Sequence, residues 1–167
     1  NLVLAGNSLN LEGQLAGLGD VSLLATDTVK IRDTAETPFI AAAGTDLLVQ
    51  GNEQVDIVAL SHPDSQLFSY GDMVLRSTNA VSGDTHFLSG GNFRIENLDK
   101  ALGNLTSPID TIIRSLGDVE FDSYRGSSLH IIAGGSVTFN EAVVISPDPG
   151  IQGIDFLQDT LELADGT

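Results

Sequence analysis

One short pattern recurs through this chain: a glycine turn, a polar residue, then an alternating apolar strand. It reads Gly19-Asp20-Val21, Gly44-Thr45-Asp46-Leu47, Gly71-Asp72-Met73, Gly91-Asn92-Phe93, Gly117-Asp118-Val119 and Gly135-Ser136-Val137. The apolar anchors at 21, 47, 73, 93, 119 and 137 are spaced by 26, 26, 20, 26 and 18 residues, and Val3 lies another 18 before the first, so seven units are counted. A unit of this length cannot bury its apolar face alone; stacking neighbours along one axis solves that.

Each glycine-led anchor is followed two positions on by a second apolar residue, as in Val21 and Leu23, Met73 and Leu75, or Val119 and Phe121. A period of two is a strand with one buried face. A second strand starts eight residues after the anchor in the two best-matched units, where Val29 and Ile31 correspond to Val55 and Ile57. Pro38 to Ala43, Gln66 to Tyr70, Leu129 to Ala133 and Ala142 to Ile145 supply strands of a third side. The expectation is an all-β chain, a parallel β-helix or β-solenoid of about seven coils stacked about 4.8 Å apart, with glycine at the corners and little helix.

The same register sets Arg76 beside Glu96 and Arg94 beside Glu120 as outward cross-strand pairs. At an exposed surface each is worth a few tenths of a kcal/mol. Ser61 to Ser65, Asn97 to Pro108 and Tyr124 to Ser128 interrupt the lattice and read as loops. The β-helix is thus expected over 1–146, with insertions near 61–65 and 97–108. Pro147-Asp148-Pro149-Gly150 breaks it, leaving 147–167 as a final coil or extended arm.

Charge narrows the partners. Seven Lys and Arg against 23 Asp and Glu give a formal charge of -16. Such a surface repels phosphate backbones and anionic lipid, so neither nucleic acid binding nor membrane insertion is expected, and side-by-side clumping is discouraged. No apolar run approaches the length that spans a bilayer, and no basic, hydrophobic start resembles a secretion signal. Beginning at Asn1, the chain reads as an interior piece of something longer. With no cysteine, neither disulfides nor thiolate metal sites contribute.

The stretches GDVSLLATDTVKIRD (Gly19 to Asp33), AGTDLLVQGNEQVDIVALSHPDSQLFSYGDMVLRS (Ala43 to Ser77) and LGDVEFDSYRGSSLHIIAGGSVTF (Leu116 to Phe139) resemble cyanobacterial filamentous-haemagglutinin-like surface proteins, over most of the chain. The resemblance implies a right-handed parallel β-helix within a large secreted exoprotein, often carried by two-partner secretion, with an adhesive or scaffold role at the cell surface. The amino-terminal secretion domain of that family is not recognisable here.

Candidate sites are few. Asp20, Asp46, Asp72 and Asp118 share one repeat position, and stacked carboxylates can gather calcium. Asp beside Gly at a turn commonly accepts hydrogen bonds from its own backbone, and the nonapeptide calcium repeat is absent. His62, His86 and His130 occupy unrelated repeat positions, with only Asp64 and Asp84 close in sequence, so they do not compose a zinc set. His130 is expected in an apolar strand, satisfied by backbone, and His62 and His86 in loops. The basic residues do not cluster as a lyase acting on acidic sugars needs, and no G-x-S-x-G elbow or phosphate loop is present. No catalytic residue and no cofactor are assigned.

The expected role is mechanical, an extracellular rod that self-associates head to tail through its terminal coils, since an uncapped solenoid end exposes open strand edges. The alternatives are a carbohydrate-binding module, for which Tyr70 and Tyr124 are the available tyrosines, and a polysaccharide lyase.

Overall fold

Strands of three to five residues with alternating burial cannot hold themselves in water; they persist only where each pairs with another coil. The computed structural model describes residues 1–146, so the expected final coil or arm lies outside the described residues. Coil 1 comprises β1 (Leu2–Gly6), β2 (Leu9–Leu11) and β3 (Gln14–Gly17). Coil 2 comprises β4 (Val21–Ala25), β5 (Thr28–Arg32) and β6 (Ile40–Ala43), and coil 3 β7 (Leu47–Gly51), β8 (Gln54–Val58) and β9 (Gln66–Ser69). Coil 4 holds β10 (Met73–Arg76), β11 (Val81–Asp84) and β12 (His86–Ser89), and coil 5 β13 (Phe93–Glu96), β14 (Leu105–Ser107) and β15 (Thr111–Ser115). Coil 6 holds β16 (Val119–Phe121), β17 (Tyr124–Gly126) and β18 (Leu129–Ala133), and coil 7 contributes β19 (Val137–Phe139) and β20 (Val143–Ile145).

Equivalent strands stack into three parallel sheets. The first runs β1-β4-β7-β10-β13-β16-β19, the second β2-β5-β8-β11-β14-β17-β20 and the third β3-β6-β9-β12-β15-β18. This is the all-β parallel β-helix expected from the repeat. Val21, Leu47 and Met73 pair in direct register and form one interior column, each at most 1% exposed. Val29 over Val55 and Ile31 over Ile57 are likewise direct partners.

The interior conserves volume along the axis rather than residue type. In the second sheet the column Leu11, Ile31, Ile57 continues as Gly83, Ser107 and Gly126. The rings of Phe87 and Tyr124 lie where a Cβ on Gly83 or Gly126 would project. Phe87 and Phe93 meet with centroids 5.3 Å apart, and Phe121 stacks under Phe139 at 5.9 Å. Small residues in one column thus make room for aromatic rings from neighbouring positions, as close packing requires.

Several boundaries differ from the sequence reading, each because tertiary pairing overrode a local signal. Leu2, not Val3, pairs with Val21, and Val3 is 59% exposed. Leu2, Val3 and Leu4 are all apolar, so the alternation was silent there and a slip of one reversed the faces. The segment expected to bulge at Asn97 to Pro108 carries β14 at its end, and only the part before it leaves the wall, closed by an antiparallel bridge between Glu96 and Leu102. The loop expected at Tyr124 to Ser128 contains β17, and Ala142 to Ile145 contributes to the second sheet, not the third.

The two charge pairs form and join. Arg76 Nη2 lies 2.7 Å from Glu96 Oε2, Arg94 Nη1 2.7 Å from Glu120 Oε2, and Arg94 Nε 3.1 Å from Glu96 Oε1. The Glu96 side chain is only 8% exposed, so this is a half-buried network, not the pair of exposed contacts expected. Truncating Glu96→Ala removes the carboxylate that both arginines share, leaving Arg76 with Gln50 and Arg94 with Glu120, and is expected to cost roughly 1–2 kcal/mol in urea unfolding. Phe93→Ala, which opens the interior beside Phe87, is expected to cost about 3–5 kcal/mol in the same measurement.

Candidate functional site

The corner between the third and first sheets explains the Gly-Asp repeat. Asp46 Oδ1 accepts the backbone N–H of Asp72 at 2.8 Å, Asp72 that of Asn92 at 2.7 Å, Asn92 that of Asp118 at 2.9 Å, and Asp118 that of Ser136 at 2.8 Å. Asn1 and Asp20 extend this ladder downward, accepting from Asp20 and Asp46 at 3.2 and 3.3 Å. Each side chain points along the rod into the coil above. A Cβ on Gly71, Gly91, Gly117 or Gly135 would run into the oxygen beneath, so the motif is a contact between coils. Thr45 stands where the next coil has Gly71, and its hydroxyl donates to Asp20. That bond, with the Asp46 N–H, holds Asp20 below the usual carboxylate range.

The four carboxylates singled out for calcium therefore each direct an oxygen at the backbone of the next coil, not at their own turn as expected, because the parallel stack sets that amide directly above them. Among the described residues no three His, Asp or Glu side chains converge on a point that could hold a metal. Because Asn92 already does the same work as its Asp neighbours, Asp72→Asn is expected to change stability by less than about 0.5 kcal/mol. Asp72→Ala should lose about 1 kcal/mol, read from the urea midpoint.

A second set of acids lies inside the corner between the second and third sheets. Asp84, 0% exposed, accepts the N–H of Ile109 at 3.1 Å and of Asp110 at 3.0 Å on Oδ1, together with the Ser107 hydroxyl. Asp33 does the same one insertion earlier, taking the His62 N–H at 2.9 Å and the Ser65 hydroxyl at 2.6 Å. Both acids pin the chain of the next coil where it leaves the regular lattice. Tyr124 is 1% exposed; its hydroxyl donates to the Ser128 carbonyl, and burial above all pushes its pKa up to about 12. Its enclosure removes Tyr124 from the tyrosines available to a glycan.

The histidines stay apart in function. His62 sits in the 61–65 loop, its Nδ1 accepting the Asp64 N–H at 3.1 Å. His86 opens β12 instead of lying in a loop, and His130 occupies the same outward column two coils later, with Ile112 between them. His130 Nε2 is 3.0 Å from Ser128 Oγ and 3.7 Å from Asp110 Oδ1, so side chains rather than backbone surround it.

Burial raises the Asp84 pKa, the nearby Asp110 charge adding to it, against the lowering effect of its three hydrogen-bond donors. The folded chain thus holds this proton more tightly than the unfolded chain, whose reference value is 3.8. The contribution to stability is complete below that value and declines as pH rises through the folded pKa. Asp84→Asn keeps an acceptor without the charge and is expected to raise the thermal midpoint at pH 7, whereas Asp84→Ala, which orphans three donors, should cost roughly 2–4 kcal/mol. His86 has the opposite sign: burial and then Arg114 lower its pKa below 6.5, so stability present above 6.5 is lost as the solution is acidified. His86→Gln, matching Gln66 in the same column, should flatten the thermal midpoint over that acid range.

The outward face of the third sheet differs from the rest of the wall. Its middle column runs Ala16, Ala42, Phe68, Leu88, Arg114, Ile132, and no acid occurs on any described strand of this sheet. At its edge Leu18, Tyr70 and Leu116 are 102%, 72% and 79% exposed, and Tyr70 rests edge-on against Phe68 at 4.9 Å. The ends of the described stack are apolar too. Leu2, Leu4, Leu9, Leu11 and Leu15 are only partly covered at one end, and Val137, Phe139, Val143 and Ile145 are 37–52% exposed at the other. No family model, curated protein or solved structure matches this chain.

Proposed function

We propose that this chain is a structural, non-catalytic module of an extracellular surface rod of adhesive type, continued at its ends by further β-solenoid. The observation that carries this is the first coil: among the described residues β1, β2 and β3 each have a paired neighbour on one side only, above an interior of partly covered leucines. Open parallel edges over an apolar interior are completed by another coil, whether from the same polypeptide or from another copy stacked head to tail. The extracellular, cell-surface placement follows from the resemblance to filamentous-haemagglutinin-like exoproteins. A glycan-binding reading is weaker, because of the two tyrosines only Tyr70 faces solvent. A lyase reading finds Asp84 and Asp110 enclosed in the wall at 0% and 3% exposure, Asp84 Oδ1 accepting the Ser107 hydroxyl and the Asp110 backbone N–H.

Electron microscopy of the purified chain tests the stacking. Rods longer than one chain, shortened to single units by Leu4→Asp with Leu11→Asp while the circular dichroism of the remaining coils persists, are the expected outcome. Single particles at every concentration, or rods indifferent to those substitutions, would overturn the end-to-end reading.

A further inference from the structure

We propose that the outward face of the third sheet is the interface of an antiparallel, side-by-side dimer of this chain. The proposal stands on this face alone and does not depend on end stacking. Three observations carry it: the corrugation of the face, its charge and its area.

The edge column alternates bulk and glycine coil by coil: Leu18, Gly44, Tyr70, Gly90, Leu116, Gly134. A Cβ on Gly44, Gly90 or Gly134 would strike the backbone of the coil beneath, so the gaps are as fixed as the ridges. Two shallow apolar grooves follow, one over Gly44 between Leu18 and Tyr70, the other over Gly90 beside Phe68 and Leu116. Ridges therefore recur about every 9.6 Å, two coil spacings.

A two-fold axis lying in the interface along the strand direction sets each column against itself with coil order reversed. With the six coils fully overlapped, coil 1 faces coil 6, coil 2 faces coil 5 and coil 3 faces coil 4. Leu18 then meets Gly134, Tyr70 meets Gly90 and Leu116 meets Gly44, so every ridge enters a gap. The middle column sets Ala16 against Ile132, Ala42 against Arg114 and Phe68 against Leu88, small against large or ring against branch. In the outer column Gln66 faces His86, while Ile112, 2% exposed, is already covered within its own chain and adds no surface. A parallel pair, by contrast, sets each coil against its own number and loses this fit.

Charge selects a second copy over an acidic partner. The chain carries -16, yet among the described strands of this face only Arg114 is a permanent charge, and in the dimer the two arginines sit about 14 Å apart, beyond the screening length at physiological salt. The repulsion that remains comes from the Asp20, Asp46, Asp72 and Asp118 ladders meeting at the rim, and salt relieves it. The projected face is about 29 Å by 17 Å, so two copies cover on the order of 1,000 Å². That is the lower bound for a specific interface and predicts a weak, concentration-dependent dimer.

Sedimentation equilibrium on the full chain carrying Leu4→Asp and Leu11→Asp, which removes end stacking, tests the proposal. The expected result is a monomer–dimer equilibrium that tightens as salt is added and weakens at least about tenfold on Tyr70→Glu or Leu116→Glu, with circular dichroism unchanged. The chain has no cysteine, so single spin labels report geometry. A label at Gln66→Cys should find its mate within about 15 Å and one at Gln14→Cys at about 25 Å. A monomer at all concentrations and salts, a dimer untouched by Tyr70→Glu, equal label distances at the two sites, or preferential capture of an added glycan by the monomer would each overturn it.

Discussion

The parallel hydrogen-bond ladder between coils is the constraint on which everything else depends. Each coil must present three short strands in register with the coil below, so any residue is repeated against its own neighbours at about 4.8 Å along the rod. Columns of like apolar residues satisfy this directly, as with Val21, Leu47 and Met73. Charges do not, and the wall answers by alternation: Gln50, Arg76 and Glu96 follow one another in one outward column, with Arg94 joining from the next. The same requirement turns a turn motif into a structural device: the Asp side chain reaches the backbone of the next coil at 2.8 Å where Gly71 leaves room above Asp46, against 3.3 Å where Thr45 stands above Asp20.

Departures from the regular lattice are held by acids of the coil beneath, Asp84 buried and Asp33 half-buried. Where coils 3 and 5 carry extra residues between the second and third sheets, Asp33 and Asp84 of the coil beneath collect the loose N–H and hydroxyl donors. A buried carboxylate is costly by itself and tolerable when several donors converge on it. The Asp84 corner is thereby coupled to pH, its carboxyl raised by burial, although it lies within the wall and not in a cleft. Function is better sought on the surfaces that the ladder leaves open, the ends and the acid-free third face.

Much of the fold was legible because parallel stacking writes itself into sequence as a period. The anchors, the second-sheet partners Val29 with Val55, and the Arg76–Glu96 and Arg94–Glu120 pairs all follow from residue spacing. Legibility failed where apolar residues occupy both parities, as at Leu2 to Leu4, or where coil length changes, as between Glu96 and Leu105. The third sheet was legible in part: Pro38 to Ala43, Gln66 to Tyr70 and Leu129 to Ala133 do carry its strands β6, β9 and β18, whereas Ala142 to Ile145 joins the second sheet. Leu129–Ala133 has apolar residues at both parities, so its spacing did not say which face turns outward.

By itself, then, the amino-acid order determined the number of coils, the main interior columns and the glycine corners, because each is a local pattern repeated against itself. Only the tertiary structure decided which coil's Asp meets which backbone amide, that Tyr124 is enclosed, and that the acids are swept off one face. Those outcomes depend on residues about 18 to 26 positions apart being brought within a few ångströms, with coil lengths that vary. Spacing alone ranks such neighbours but does not say which side of the wall each one faces.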